Sequence, residues 1–424
     1  MSIHKIIISL SLCISCSNLC FSQITIEECY DKSYSNYPLI QQLGLIEKAK
    51  EYTISNASKG YLPQIAVSAK GSYQSEVTNI PIDFSKLGLA GMNIQSMSKD
   101  QYGATIDINQ SIWDGGAIHS KKEVISSQAE LEKNSTEVNM YTLRQRVNQL
   151  FFGILLADEQ IKQNRLFQEL LQTNLDRIEA YKKNGVANQS DVDAIRIDLL
   201  RSKQMMIQFQ SNRNAFVNML SALTGMKMDN STILKMPNDA VTSGINKRPE
   251  LKLFQSEMEL YKSQNRQLSS DLMPRLSAFA TGGYGRPGLN MLEDKFKTYY
   301  IAGLRLSWNI GSFYTNKNKK RLLENSIESV NNKQEIFLFN NSLDKIQKEN
   351  DLGKFREQIK YDDEILNLRK SVSRASEAKM ADGTMSGTDL MRDLNAEQQA
   401  AQDKILHQIE YLKAQYEMKY ITNN

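Results

Sequence analysis

The residue types that usually carry chemistry are sparse in this chain. Histidine occurs only at positions 4, 119 and 407. Neither His119 nor His407 has the Cys, His or carboxylate constellation that a metal site needs, so both are expected to be exposed helix residues. There is no nucleophile elbow and no phosphate-cradling loop. Gly282-Gly283-x-Gly285 ends a strand before a loop, where packing or a turn accounts for it. Nothing here points to an enzyme, a cofactor or a bound metal. Two carboxylates do stand out by position. Asp191 follows Gly185 and Asp389 follows Gly383 at the same spacing, and each begins a helical pattern. Glycine at such turns can take positive φ, and a carboxylate in the first helical turn is favoured by the helix dipole. Capping is one role open to them, and partner recognition at an exposed tip is the other.

The 424 residues are 24% charged with net charge +4, too mild an excess to imply nucleic acid. His4 and Lys5 precede an apolar run over 6–14, and Cys20-Phe21-Ser22 offers small residues for cleavage before Gln23. Residues 1–22 are therefore expected to be a secretory signal peptide, the run being too short to span a bilayer. Cys13, Cys16 and Cys20 fall inside it, and neither Cys16 nor Cys20 has the preceding residues that lipid modification prefers. Cys29 remains alone in the mature chain, which excludes an intrachain disulfide. No later run reaches the ~18 apolar residues of a membrane helix. If the mature chain enters a membrane, it does so as a β-barrel.

The framework that positions the two carboxylates is a repeat. Over 102–112 the residues Tyr102, Ala104, Ile106, Ile108 and Ile112 alternate with Gly103, Thr105, Asp107, Asn109 and Ser111, a strand with one apolar and one polar face. The pattern returns 198 residues later, where Tyr300, Ala302, Leu304, Leu306, Trp308 and Ile310 alternate with Gly303, Arg305, Ser307 and Asn309. Pro38 and Pro63 recur as Pro249 and Pro274 at an offset of 211, which Tyr73 and Tyr284 share. The second copy is thus 13 residues shorter between its strands. Length differences collect in surface loops, which places loops at 77–100 and 286–297. The reading divides the chain into a first repeat over 23–225, a linker over 226–247 and a second repeat over 248–424. Each repeat has a helix after its first proline (38–59 and 249–271) and two strands, about 63–77 and 100–113 or 274–286 and 298–311. Phe279 interrupts the alternation of its strand.

A long proline-free run follows each strand pair. Leu143, Val147, Leu150, Ile154, Ala157 and Ile161 are spaced as the seam of a coiled coil, Asn164 and Gln168 fall on that seam, and Leu171, Leu175 and Ile178 resume it. Turns near 184–189 and 382–387 send return helices back, giving two helical hairpins. Four strands cannot hide their edges in lipid, and closed bacterial barrels start at about eight. Three chains would supply a twelve-stranded barrel, with Ile106, Ile108, Leu304 and Leu306 facing lipid and Asp107, Asn109, Arg305 and Asn309 lining the lumen.

Several motifs, in this order and partly duplicated, resemble the TolC family of outer-membrane efflux proteins over essentially the whole mature chain. They are Tyr61-Leu62-Pro63, Ser111-Ile112-Trp113-Asp114-Gly115-Gly116, Arg248-Pro249-Glu250-Leu251, Leu306-Ser307-Trp308-Asn309, Gly185 with Asp191-Val192, and Gly383 with Asp389-Leu390. The resemblance implies an α+β membrane protein: a homotrimer whose outer-membrane barrel continues into a periplasmic α-helical tunnel, with an equatorial collar built from 24–37 and 226–247. It implies docking on a periplasmic adaptor at the hairpin tips, through Gly185, Val186, Asp191, Gly383 and Thr384, and through the adaptor a link to an inner-membrane pump of the RND or ABC type. It also implies a carboxylate ring at the tunnel's periplasmic aperture near Asp389. This chain departs from the family there: Arg392 replaces the second ring carboxylate, with Asp393 beside it, and the latch positions fall on Met380 and Met385. The function implied is a passive exit duct for drug efflux or type I secretion in a Gram-negative bacterium. A periplasmic coiled-coil scaffold without a pore is the alternative.

Overall fold

The computed structural model describes residues 23–77, 97–239 and 246–423. The segment expected to be a signal peptide, with Cys13, Cys16 and Cys20, most of the first loop, and part of the linker lie outside the described residues. The α-helices and strands of the described residues follow in chain order: α1 (Ile26–Asn36), α2 (Ile40–Ser58), β1 (Gln64–Tyr73), β2 (Asp100–Trp113), α3 (Ala117–Lys183), α4 (Gln189–Thr224), α5 (Pro249–Ser270), β3 (Arg275–Arg286), β4 (Lys297–Ser307), α6 (Ser312–Ala381) and α7 (Gly387–Thr422). The first helix of copy one begins two residues after Pro38, because Tyr37 has extended backbone and closes α1. None of the described helices is long and apolar enough to cross a membrane.

The chain divides into two compact units. One comprises residues 41–136 and 250–336 and holds the sheet, an antiparallel meander in the order β1-β2-β3-β4. Each strand pairs with the next in sequence, so β1 and β4 are both open edges. The strand-to-helix junction is built by Asp114, whose carboxylate accepts the backbone N–H of Gly116 (3.0 Å) and of Ile118 (2.7 Å). It caps donors that the first turn of α3 leaves unpaired. Gly115 takes φ +68° and approaches Met273 so closely that a Cβ there would lie 2.4 Å from the Met273 Cβ. No other residue fits that corner.

The other unit, over the described residues of 23–40, 137–239, 246–249 and 337–423, is mainly helical. Its first core gathers Ile26 and Cys29 of α1, Leu150, Phe151 and Ile154 of α3, Leu220 of α4, Leu234 of the linker and Ile409 of α7. The linker is held there by Arg213, which pairs with Asp158 and donates to the carbonyls of Asn230 (3.1 Å) and Thr232 (2.9 Å). Residues 24 and 234 form a parallel bridge beside it. Arg248 is stacked at 4.6 Å over Tyr420 and 4.9 Å over Tyr141, which themselves stack at 4.9 Å. That explains arginine before Pro249, since a flat guanidinium can sit on a ring while donating to the Tyr420 carbonyl. The seam residues Val147, Leu150, Ile154, Leu171, Leu175 and Ile178 are buried. Asn164 is fully buried among them, yet satisfied: its amide donates to the Ser202 carbonyl (2.8 Å) and accepts from the Ser202 hydroxyl (2.9 Å). Gln168 donates to the same carbonyl (3.0 Å). A polar layer inside a helical seam is stable when each group is paired.

Candidate functional site

Two places carry the residues singled out above. The first is the sheet. Register puts Gln64, Asn109 and Phe279 side by side, then Ala66, Asp107 and Thr281, while Ser277 faces Arg305. Paired residues of antiparallel strands share a face, so Asp107, Asn109 and Arg305 lie on one face together. The opposite face carries Ile65, Val67, Ile106, Ile108, Leu304 and Leu306, all exposed in the protomer. Asn309 does not join the first group. β4 stops at Ser307, and the Asn309 carbonyl accepts from Ser312 N–H at 3.3 Å in the turn that starts α6. The assignment of Asn309 to a strand face is corrected accordingly, and Trp308, whose indole donates to the Leu272 carbonyl (3.0 Å), lies in the same turn.

On the polar face, Asp107 accepts the hydroxyls of Thr281 (2.6 Å) and Thr105 (3.1 Å). Arg305 lies 4.9 Å over the ring of Phe279. The aromatic that interrupts the strand's alternation is therefore a seat for the arginine, and it rests on Gly303, where a Cβ would meet its ring at 3.1 Å. Tyr299 lies over Gly283 in the same way. This is the use of Gly283, while at Gly285 a Cβ would meet the Tyr102 carbonyl at 2.7 Å.

The apolar face is bounded by aromatic residues at both ends. Tyr73, Tyr102, Tyr284 and Tyr300 cluster by register near the loop end. At the junction end, a bulge between Ser111 and Trp113 sets Trp113 opposite Leu276 and so turns it onto the apolar side. Eleven residues separate Tyr102 from Trp113, about 36 Å along a strand and about 26 Å once tilted by ~45° as barrel strands are. That matches the apolar band of an outer-membrane barrel, ~25 Å tall between aromatic girdles.

The second place is the pair of hairpin turns. Gly185 and Gly383 take φ +74° and +68°. They let each chain reverse after one helix and start the next. Asp191 is buried. One carboxylate oxygen accepts the backbone N–H of Asn188 (3.0 Å), and the other accepts that of Gly387 (2.8 Å), 196 residues away. A single side chain thus caps α4 and α7 at once, joining the two turns. Asp191 is not a free docking residue; burial and two backbone donors make it a structural one. Val186 is exposed and touches the position a Cβ on Gly383 would occupy, at 3.3 Å, and Thr384 is exposed beside it.

Asp389 belongs to a capping pair with Ser386, accepting its hydroxyl (2.8 Å) while the Asp389 N–H donates to Ser386 Oγ (3.1 Å). Arg392 donates to Asp389 at 3.2 Å and lies 3.5 Å from Asp393. Asp393 in turn accepts the Ser376 hydroxyl (2.6 Å). Met380 points elsewhere. It is buried with Leu171, Ile178, Ile195, Leu390 and Leu394 in the core of the joined turns, so its assignment to an aperture is corrected. Met385 is half-buried. His407 is likewise not an exposed helix residue: its Nδ1 lies 3.0 Å from Asp362, which is buried. A partner 45 residues away on another helix leaves no local signal. Among the described residues no group of His, Cys, Asp and Glu is placed to hold a metal.

The family description "Outer membrane efflux protein" matches residues 29–226. No curated protein matches the chain in sequence. Solved structures share its fold throughout. A membrane protein from Pseudomonas aeruginosa is 14% identical, with a TM-score of 0.71 covering 94% of this chain and 90% of that one. The CmeC outer membrane channel of Campylobacter jejuni is 13% identical, with a TM-score of 0.68 over 95% and 86%. The open state of the MtrE outer membrane channel of Neisseria gonorrhoeae is 11% identical, with a TM-score of 0.68 over 94% and 89%.

Proposed function

We infer that this chain, a TolC-family outer-membrane efflux protein, serves as the passive exit duct of an export system in the outer membrane. The observation that carries this is the sheet: one face apolar, one polar, aromatic girdles at both ends, and two unpaired edges. An open edge in hydrocarbon costs several kcal/mol for each unpaired backbone group. Closure of β4 on β1 of the next copy removes both edges at once, and three copies make the twelve-stranded barrel. The helical unit asks for the same assembly. Ile197, Leu200 and Ile207 on α4, and Leu343, Ile346, Leu368 and Val372 on α6, are exposed at roughly heptad spacing. Such stripes bury themselves against a neighbouring helix.

Asp107, Asn109 and Arg305 then line the lumen. The turns at Gly185, Val186, Gly383 and Thr384 offer a surface for a periplasmic adaptor, through which an inner-membrane pump of the RND or ABC type supplies the energy. Met385, Asp389, Arg392 and Asp393 are the candidates for lining the periplasmic aperture. A scaffold without a pore would leave the whole apolar sheet face in water, so the duct is favoured. The test is the mass of the protein solubilised from outer membranes, by light scattering corrected for bound detergent. Three mature chains are expected. A monomer released without detergent would refute the reading.

A further inference from the structure

The loop joining β3 to β4 folds toward a definite side of the sheet. Phe296 stacks on Tyr284, ring centroids 5.5 Å apart, and Tyr284 is on the apolar face, in register with Ala104 and Thr298. Arg286, opposite Tyr102 on that face, lies 3.5 Å from Asp294 and 5.8 Å from the Phe296 ring. It also donates to Ser98 Oγ at 2.9 Å. Asn290 caps the turn by accepting the Leu292 N–H at 3.0 Å. The loop is therefore pinned to the outward side of the sheet and not to the polar side. Its tip presents Leu289, Met291 and Leu292, which are 59%, 63% and 57% exposed. Exposed apolar side chains at a loop tip are expected to find an apolar partner. Phe296, stacked on Tyr284, ties the loop that carries them to the apolar face.

We propose that the β3–β4 loop is seated in the lipid of the outer leaflet, its leucines and methionine among acyl chains, and does not stand over the mouth of the pore. The partner is a lipid surface, selected by continuity with the lipid-facing band, and the proposal rests on the barrel reading above. An amphipathic segment lying in the interface buries its apolar side chains into the acyl boundary in this way.

The experiment is quenching by lipid-borne bromine. Leu292→Cys, labelled with a small fluorophore, is reconstituted in vesicles with or without brominated acyl chains, and aqueous iodide is added separately. Buried Cys29 is the only other cysteine of the mature chain. Leu304→Cys reports the lipid face and Asn109→Cys the lumen. Position 292 is expected to lose as much fluorescence to brominated lipid as position 304 and to resist iodide. Iodide quenching like that at position 109 overturns the proposal, and protection from both quenchers does so too, by showing a protein neighbour over the loop. If position 304 itself is not quenched by lipid, the barrel reading has failed, a result distinct from failure of the loop's placement.

Discussion

Replacing Asp191 by alanine should loosen the joined hairpin turns by an amount that can be worked out beforehand. The side chain accepts two backbone N–H groups, those of Gly387 and Asn188, at 2.8 and 3.0 Å. Gly387 is buried, so its donor is left without a partner, at about 1–3 kcal/mol. The Asn188 contact is the reciprocal half of the capping box on α4, and loss of such a cap costs about 1 kcal/mol. Together these come to about 2–4 kcal/mol of local opening free energy. Every ~1.4 kcal/mol is a factor of ten, so amide exchange at Gly387 and in the first turn of α7 should speed up at least about 30-fold. Hydrogen exchange resolved to residues 385–391 is the assay, because it reads local opening without requiring reversible unfolding of the assembly. Asp191→Asn, which keeps one acceptor oxygen, should fall between the two. Exchange unchanged in Asp191→Ala would refute the dual cap.

Three further outcomes follow from the geometry. Ile108→Arg places a charge on the apolar face midway between Tyr102 and Trp113, at a cost of about 2–4 kcal/mol near mid-bilayer, and should reduce the heat-resistant oligomer in outer membranes; Asn109→Lys, on the other face, should not. If Asp389 contributes to a cation-binding ring at the aperture, Asp389→Ala should weaken divalent-cation block of single-channel conductance. Arg392→Ala, which frees the carboxylate, should strengthen it; equal block in all three proteins rules the ring out. Burial pushes the Cys29 thiol up to about 12. The folded protein should therefore resist maleimide until denatured, since the thiolate is the nucleophile. The sign for stability follows: the neutral thiol's contribution is full below the unfolded pKa and is lost as pH rises toward 12, readable as a falling melting temperature.

Much of the fold was legible because the sheet and the hairpins are written in short periods. The alternation around Asp107 and Ile108 declares a two-faced strand whatever its partners, and Gly185 and Gly383 mark the turns. Composition and the scarcity of histidine pointed away from catalysis. The candidate site was less legible. Asp389 and Asp191 look alike in sequence, each following a glycine by six residues and opening a helix. In the structure one is half-exposed and paired with Arg392, and the other is buried under a second hairpin. Met380 fits an exposed latch position as well as a core position until the neighbouring helices are present.

What the sequence determined by itself is what depends on neighbours within a few residues: strand and helix periods, the apolar face of each strand, and the positive-φ corners. Only the tertiary structure decided which polar groups meet. Gly387 reaches Asp191, Asp362 reaches His407, Phe279 seats Arg305, and a one-residue bulge swings Trp113 onto the apolar side. The physical reason is that burial and hydrogen-bond satisfaction belong to pairs of elements. A carboxylate's role is set by which donors packing brings within about 3 Å of it, and no local pattern specifies those.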